Sequence, residues 1–96
     1  MERLVAVARL KPGNRDRADE LIAQYKSGED VAPEFERIAI FLAEGEVIFA
    51  VEGHDVPETM LSILDDPVRS TWLSPWLPLL DGPLHATAEA YYWERS

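Results

Sequence analysis

Apolar positions along this chain change their spacing several times, and each change marks an element. Residues 3–10, Arg-Leu-Val-Ala-Val-Ala-Arg-Leu, form a short apolar run that Lys11-Pro12-Gly13-Asn14 breaks, which predicts a first strand, β1. From Asn14 to Lys26, Ala18, Leu21, Ile22 and Tyr25 recur at helical spacing with charged residues between them. This predicts helix α1, with Asn14 as N-cap and Ser27-Gly28 as the stop. A polar connector from Glu29 to Glu34 contains Pro33. Arg37–Ala43 and Glu46–Glu52 then read as strands β2 and β3, joined by Glu44-Gly45 as a β-hairpin. Asp55 as cap and Pro57 in the first turn open helix α2, whose stripe is Met60, Leu61 and Leu64. Asp65-Asp66-Pro67 interrupts it, Val68–Leu73 resumes helically, and Pro75 and Pro78 limit that stretch to a turn or two. After the Asp81-Gly82-Pro83 loop, Leu84–Trp93 reads as the last strand, β4.

The order β-α-β-β-α-β is the split, ferredoxin-like α+β pattern. It predicts a single domain over residues 1–96, with a four-stranded antiparallel sheet and both helices on one face. Strand residues alternate faces. Leu4, Ala6, Ala8 and Leu10 of β1 match Ala86, Ala88, Ala90 and Tyr92 of β4 as the small-residue face that helices can approach. The other face carries Arg3, Val5, Val7 and Arg9 with His85, Thr87, Glu89, Tyr91 and Trp93; Phe41, Val47, Phe49 and Val51 are expected to add to it. With β1 and β4 as neighbours, Arg9 is expected near His85 or Thr87, and Val5 near Glu89 or Tyr91.

So broad an apolar surface does not stay bare on a soluble monomer. A chain of 96 residues also buries only about 60–65% of its unfolded surface, so its stability margin is thin. Both considerations predict a homodimer paired through the open face, with a small cavity between the two sheets. A largely apolar or aromatic small molecule is the expected ligand.

Composition narrows the function classes. Eighteen acidic against 9 basic residues give a net charge of −9, which disfavours nucleic acid and anionic membranes as partners. There are no cysteines, which excludes disulfides, thiolate metal sites and a catalytic thiol. No apolar run approaches the ~20 residues of a membrane span. Met1-Glu2-Arg3-Leu4-Val5 enters the strand pattern directly, so a cytoplasmic location is expected.

Among candidate chemical groups, His85 heads the polar row of β4 and is the better acid/base of the 2 histidines; His54 reads as a loop residue beside a helix cap. Arg9 would stabilise an anion. Arg9, His85 and Glu89 read equally well as an interface network. His85 and Glu89 lie about 13 Å apart along one strand, too far to share a metal, so no metal or cofactor is expected. No glycine-rich phosphate loop or G-x-S-x-G elbow is present. Trp72 and Trp76, four apart, could line an apolar pocket wall with Tyr91, or pack on the sheet edge or a partner.

Three stretches carry a resemblance: Leu10-Lys11-Pro12-Gly13, Phe49-Ala-Val-Glu52, and Asp66-Pro67-Val68-Arg69-Ser-Thr-Trp72. With the element order and length, they resemble the dimeric α+β barrel superfamily. That group includes antibiotic-biosynthesis-type monooxygenases, EthD-like proteins, stress-responsive barrel proteins, muconolactone isomerases and L-rhamnose mutarotases, and the motifs look most like the mutarotase layout. The resemblance implies the fold and a homodimer. Leu73 stands where the mutarotase pattern has a second tryptophan, and helix α1 lacks the histidine of that family's catalytic pair. Cofactor-free isomerase, cyclase or monooxygenase-type chemistry, a sugar mutarotase-like enzyme, and a non-catalytic dimerisation module all remain open.

Overall fold

A computed structural model describes residues 1–25 and 31–95. It shows β1 (Glu2–Arg9), α1 (Arg15–Ala23), β2 (Arg37–Ala43), β3 (Glu46–Gly53), α2 (Val56–Asp65), two 3-10 segments (Pro67–Arg69 and Ser74–Leu79) and a two-residue β4 (His85–Ala86). The four strands form one antiparallel sheet in the order β2-β3-β1-β4. This is the ferredoxin-like α+β arrangement. The Ser27-Gly28 stop expected for α1 lies outside the described residues. Asn14 and Asp55 occupy the N-cap positions, but neither side chain makes a capping hydrogen bond.

The β2–β3 hairpin turns through Glu44-Gly45, with Gly45 at φ 81°, where a side chain would be strained. That two-residue turn pins the register at Ala43↔Glu46 and Phe41↔Ile48. Phe41 therefore lies on the open face, as expected, and is 56% exposed. Val47, Phe49 and Val51 do not. They lie one residue out of phase, pair with Ala8, Ala6 and Leu4, and are fully buried on the helix side. A one-residue shift flips every side chain of a strand, and the turn decides which way.

The core lies between the sheet and the helical layer. Phe49 stands at its centre, between Trp72 (centroids 5.3 Å, 67°) and Trp76 (5.4 Å, 85°), both edge-on. Ala6 and Ala8 beneath them are small enough to admit two indoles. Helix α2 lies on β1 and β3, while α1 packs mainly on the second 3-10 segment. The indole N–H of Trp76 donates to the Tyr25 hydroxyl at 3.0 Å, tying the end of the α1 region to that segment. Val68–Leu73 does not resume an α-helix. The chain makes a 3-10 turn and then a second 3-10 segment that carries Pro78 inside it, because Pro67, Pro75 and Pro78 lack the N–H donors a continuous α-helix would need.

Strand β4 is far shorter than Leu84–Trp93. Its ladder with β1 covers Val7↔His85 and Ala6↔Ala86. Thr87 adds one more tie, donating both its N–H (2.9 Å) and its Oγ1–H (2.7 Å) to the Val5 carbonyl. Beyond it the chain leaves regular pairing. Ala86, Ala88, Ala90 and Tyr92 are exposed rather than covered by helices, since no helix among the described residues extends over this edge.

Phe49→Ala should cost about 3–5 kcal/mol in urea denaturation, by removing the ring on which both tryptophans rest. Tyr25→Phe should cost about 1–3 kcal/mol by the same measurement, since it strips the buried Trp76 N–H of its acceptor.

Candidate functional site

The open face of the sheet is a grid set by the registers. One row runs Arg37, Glu52, Arg3; the next Ala39, Ala50, Val5; the next Phe41, Ile48, Val7, His85; and the last Ala43, Glu46, Arg9. The centre is apolar and the two ends are charged. At one end Arg3 Nε donates to Glu89 Oε1 at 2.7 Å, and Arg37 lies 3.9 Å from Glu52. The Arg3 guanidinium also lies 3.7 Å over the Tyr92 ring. Its hydrogen bond to Glu89, and then its contact with Tyr92, raise its pKa further above the ordinary arginine value, so it stays charged at any working pH. Arg3, Glu52, Glu89 and Tyr92 line an open cleft of about 420 Å³.

The register corrects the expected neighbours of β4. Val7, not Arg9, lies opposite His85, and Glu89 pairs with Arg3. Tyr92, expected on the alanine face, meets Arg3 instead. Arg9 and His85 nevertheless line one cleft, through a different device. Beyond β4 the edge of β1 is taken up by an earlier part of the chain. Leu10 bridges Leu80, the Lys11 N–H donates to the Leu79 carbonyl (2.8 Å), and the Asp81 N–H donates to the Arg9 carbonyl (2.8 Å). Three steps along β1, from Val7 to Leu10, are thus matched by five from Leu80 to His85. The surplus bulges outward at Gly82 (φ 111°) and Pro83. Under the bulge is a cleft of about 140 Å³ lined by Arg9, His85, Glu46, Asp81 and Val7, among others. It brings an imidazole, a guanidinium and two carboxylates to the charged end of the apolar strip. The bulge is absent from any motif. Its one sequence signal is Asp-Gly-Pro directly before a strand pattern.

Trp72 and Trp76 are buried in the core on the opposite side of the sheet, which corrects their placing in the wall of a cavity on the open face. Leu73 is fully buried beside them, and Ser70 Oγ accepts the Leu73 N–H at 3.1 Å. Trp72 Nε1 is buried without a hydrogen-bond partner. Tyr91 is 80% exposed and touches neither cleft. His54 is exposed in the turn before α2. A third cleft, about 450 Å³, lies behind the helical layer between Pro33-Glu34 and Asp65–Thr71, away from the sheet face. Among the described residues, the exposed carboxylates of Glu2, Asp55 and Glu58 come within 4.8 Å of one another; nothing else there points to a bound ion. No helix among the described residues is long and apolar enough to cross a membrane.

No protein-family model matches the chain, and no curated protein is similar to it in sequence. A solved structure is similar in fold: tetracenomycin F2 cyclase from Streptomyces glaucescens, a type-II polyketide cyclase. The two superpose with a TM-score of 0.68 over 100% of both chains, at 14% identity. At that identity the likeness establishes the fold alone and leaves the chemistry to be argued from the site.

Gly82→Ala should lower stability by about 1–2 kcal/mol in urea denaturation, because φ 111° strains any L side chain. An added Cβ there meets no atom within 4 Å, so the loss is conformational and not a clash.

Proposed function

We propose that the protein is a cytoplasmic homodimer paired through the open sheet face, and that the enclosed space takes a small, largely apolar or aromatic carbonyl compound for cofactor-free cyclisation. The observation that carries this reading is the bulge cleft, which sets Arg9 and His85 at the end of the apolar strip formed by Val7, Ile48 and Phe41. The fold-level similarity to a polyketide cyclase favours cyclisation over other cofactor-free reactions.

In this mechanism His85 accepts a proton from the carbon beside a carbonyl. The electron pair moves onto the carbonyl oxygen, and the Arg9 guanidinium stabilises the resulting enolate. The enolate carbon attacks a second carbonyl of the same molecule, forming a carbon–carbon bond. The proton held by His85 returns to the new alkoxide. No electrons are gained or lost, so neither redox cofactor nor metal is required by the balance. The apolar strip holds the substrate and keeps water from the enolate. Glu89, held by Arg3, belongs to the far end of the same face, where it contributes to ligand binding rather than to proton transfer.

A sugar mutarotase-like activity is the second reading, carried by the Asp66–Trp72 motif. In this chain Trp72 packs on Phe35 and Phe49 inside the core, a position that serves folding. A non-catalytic dimerisation module is the third, and requires the same pairing with a filled interior.

Sedimentation at micromolar concentration should give a mass near twice 10.9 kDa, and Val7→Glu should shift it towards one chain by placing an unpaired charge in the interface. A single-chain mass for the wild type would refute the dimer.

Saturation-transfer NMR should detect small aromatic ketones bound to the wild type. Arg9→Ala should weaken that binding, and His85→Asn should slow cyclisation of a poly-ketone substrate by about 10²–10⁴-fold with little change in binding. Accelerated anomer exchange of monosaccharides would instead favour the mutarotase reading.

A further inference from the structure

The cleft of about 450 Å³ behind the helical layer takes no part in the sheet-face site, and two buried donors beside it lack acceptors. Its lips are Pro33-Glu34 on one side and Asp65 to Thr71 on the other, and Ser62 and Ile63 of α2 complete the lining. Phe35, next to Glu34, packs edge-on against Trp72, next to Thr71, with centroids 6.2 Å apart. That buried ring pair joins the two lips on the core side. Ser70 lines the cleft and is only 9% exposed. Its Oγ accepts the Leu73 N–H at 3.1 Å, which holds the hydroxyl in place, while its own proton has no acceptor among the described residues. The Trp72 indole N–H is buried and has no acceptor either. Buried donors in folded proteins are nearly always satisfied, so two orphans at one cleft point to an acceptor atom that comes from outside the chain.

Charge fixes the rest of the ligand's chemistry. Asp66 is taken by Arg69 at 3.1 Å. Glu34 and Asp65 line the same cleft with no cationic partner among the described residues. Asp65 also ends α2, where the helix dipole is negative and a carboxylate is unfavourable, and the last turn carries no basic residue to offset it. A cation bound in the cleft would reverse that penalty. A single metal ion does not fit, because among the described residues only Glu2, Asp55 and Glu58 bring three such ligand atoms within 4.8 Å of one another. A longer organic cation can reach both free carboxylates, with Pro33 and Ile63 as apolar contacts for its carbon skeleton.

We propose that this cleft is a second ligand site, for a small organic amine that also carries hydroxyl groups. The ammonium pairs with Glu34 and Asp65, and hydroxyl oxygens accept from Ser70 and Trp72. The site is independent of the sheet-face dimer and of the chemistry assigned to Arg9 and His85.

Three molecules of one shape test it by NMR titration of the full chain: serinol, which has an amine and two hydroxyls; glycerol, with a hydroxyl in place of the amine; and isopropylamine, which lacks the hydroxyls. Serinol should move the Ser70 and Thr71 amide resonances and the Trp72 indole N–H, and should bind at least about tenfold more tightly than either analogue. Glu34→Gln/Asp65→Asn, at exposed positions outside the core, should reduce serinol to the level of glycerol. Asp65→Asn alone should weaken binding while leaving thermal stability equal or higher, which a purely structural role for Asp65 would not produce. Serinol that moves neither Ser70 nor Thr71, or that moves Arg9 and His85 instead, overturns the site. Glycerol binding as tightly as serinol overturns the amine, and isopropylamine doing so overturns the hydroxyls. Shifts at Ser70 and Thr71 with none at the Trp72 indole overturn Trp72 as a donor to the ligand.

Discussion

Strand β1 is hydrogen-bonded along both edges, and its two registers fix nearly everything that matters in this protein. On one side the pairing with β3 alternates the strand into a core-facing row, Leu4, Ala6 and Ala8, and an open row, Arg3, Val5, Val7 and Arg9. On the other side β1 is shared between two separate stretches, residues 79–81 and 85–87. Because those stretches are offset, the chain between them must bulge. The bulge, not a motif, creates the small cleft holding Arg9 and His85.

The helical side depends on a complementary constraint. Two indoles enter the space over β1 only because Ala6 and Ala8 leave room for them, and Phe49 fills the gap between. The 3-10 segment carrying Trp76 is stiffened by its prolines and fastened by the bond to Tyr25. A rigid layer on one face leaves the other free to be a binding surface. Its charges are paired across strands at the Arg3 end, so the open face is both apolar at its centre and close to neutral as a whole.

Pairing of two such faces would bury Val5, Val7, Phe41 and Ile48 while keeping the polar ends near the ligand. Proton transfer by an imidazole gains from a site that excludes water, and a guanidinium stabilises an enolate more strongly when water does not screen it. The dimer and the chemistry are therefore one proposal in physical terms: the sheet supplies the groups, and the second copy supplies the dry surroundings.

Local pattern determined much of the protein. The period of the apolar residues gave the element order, the two-residue Glu44-Gly45 hairpin and, through them, the ferredoxin-like fold, since each of these rests on contacts within a few residues. The face of β1 carrying Val5, Val7 and Arg9 was also legible, because alternation on a single strand needs no partner. Tertiary structure decided the rest. Phe49 is buried rather than open because a register between strands cannot be read from either strand alone. Trp72 and Trp76 belong to the core because only the folded layer shows which side of the sheet they enter. Arg3, not Arg9, holds Glu89, and Leu84–Trp93 pairs for only its first few residues although the register still leaves Met1–Leu4 opposite residues 88–91. A strand pattern records what a segment can pair as; only the folded sheet shows how much of it does.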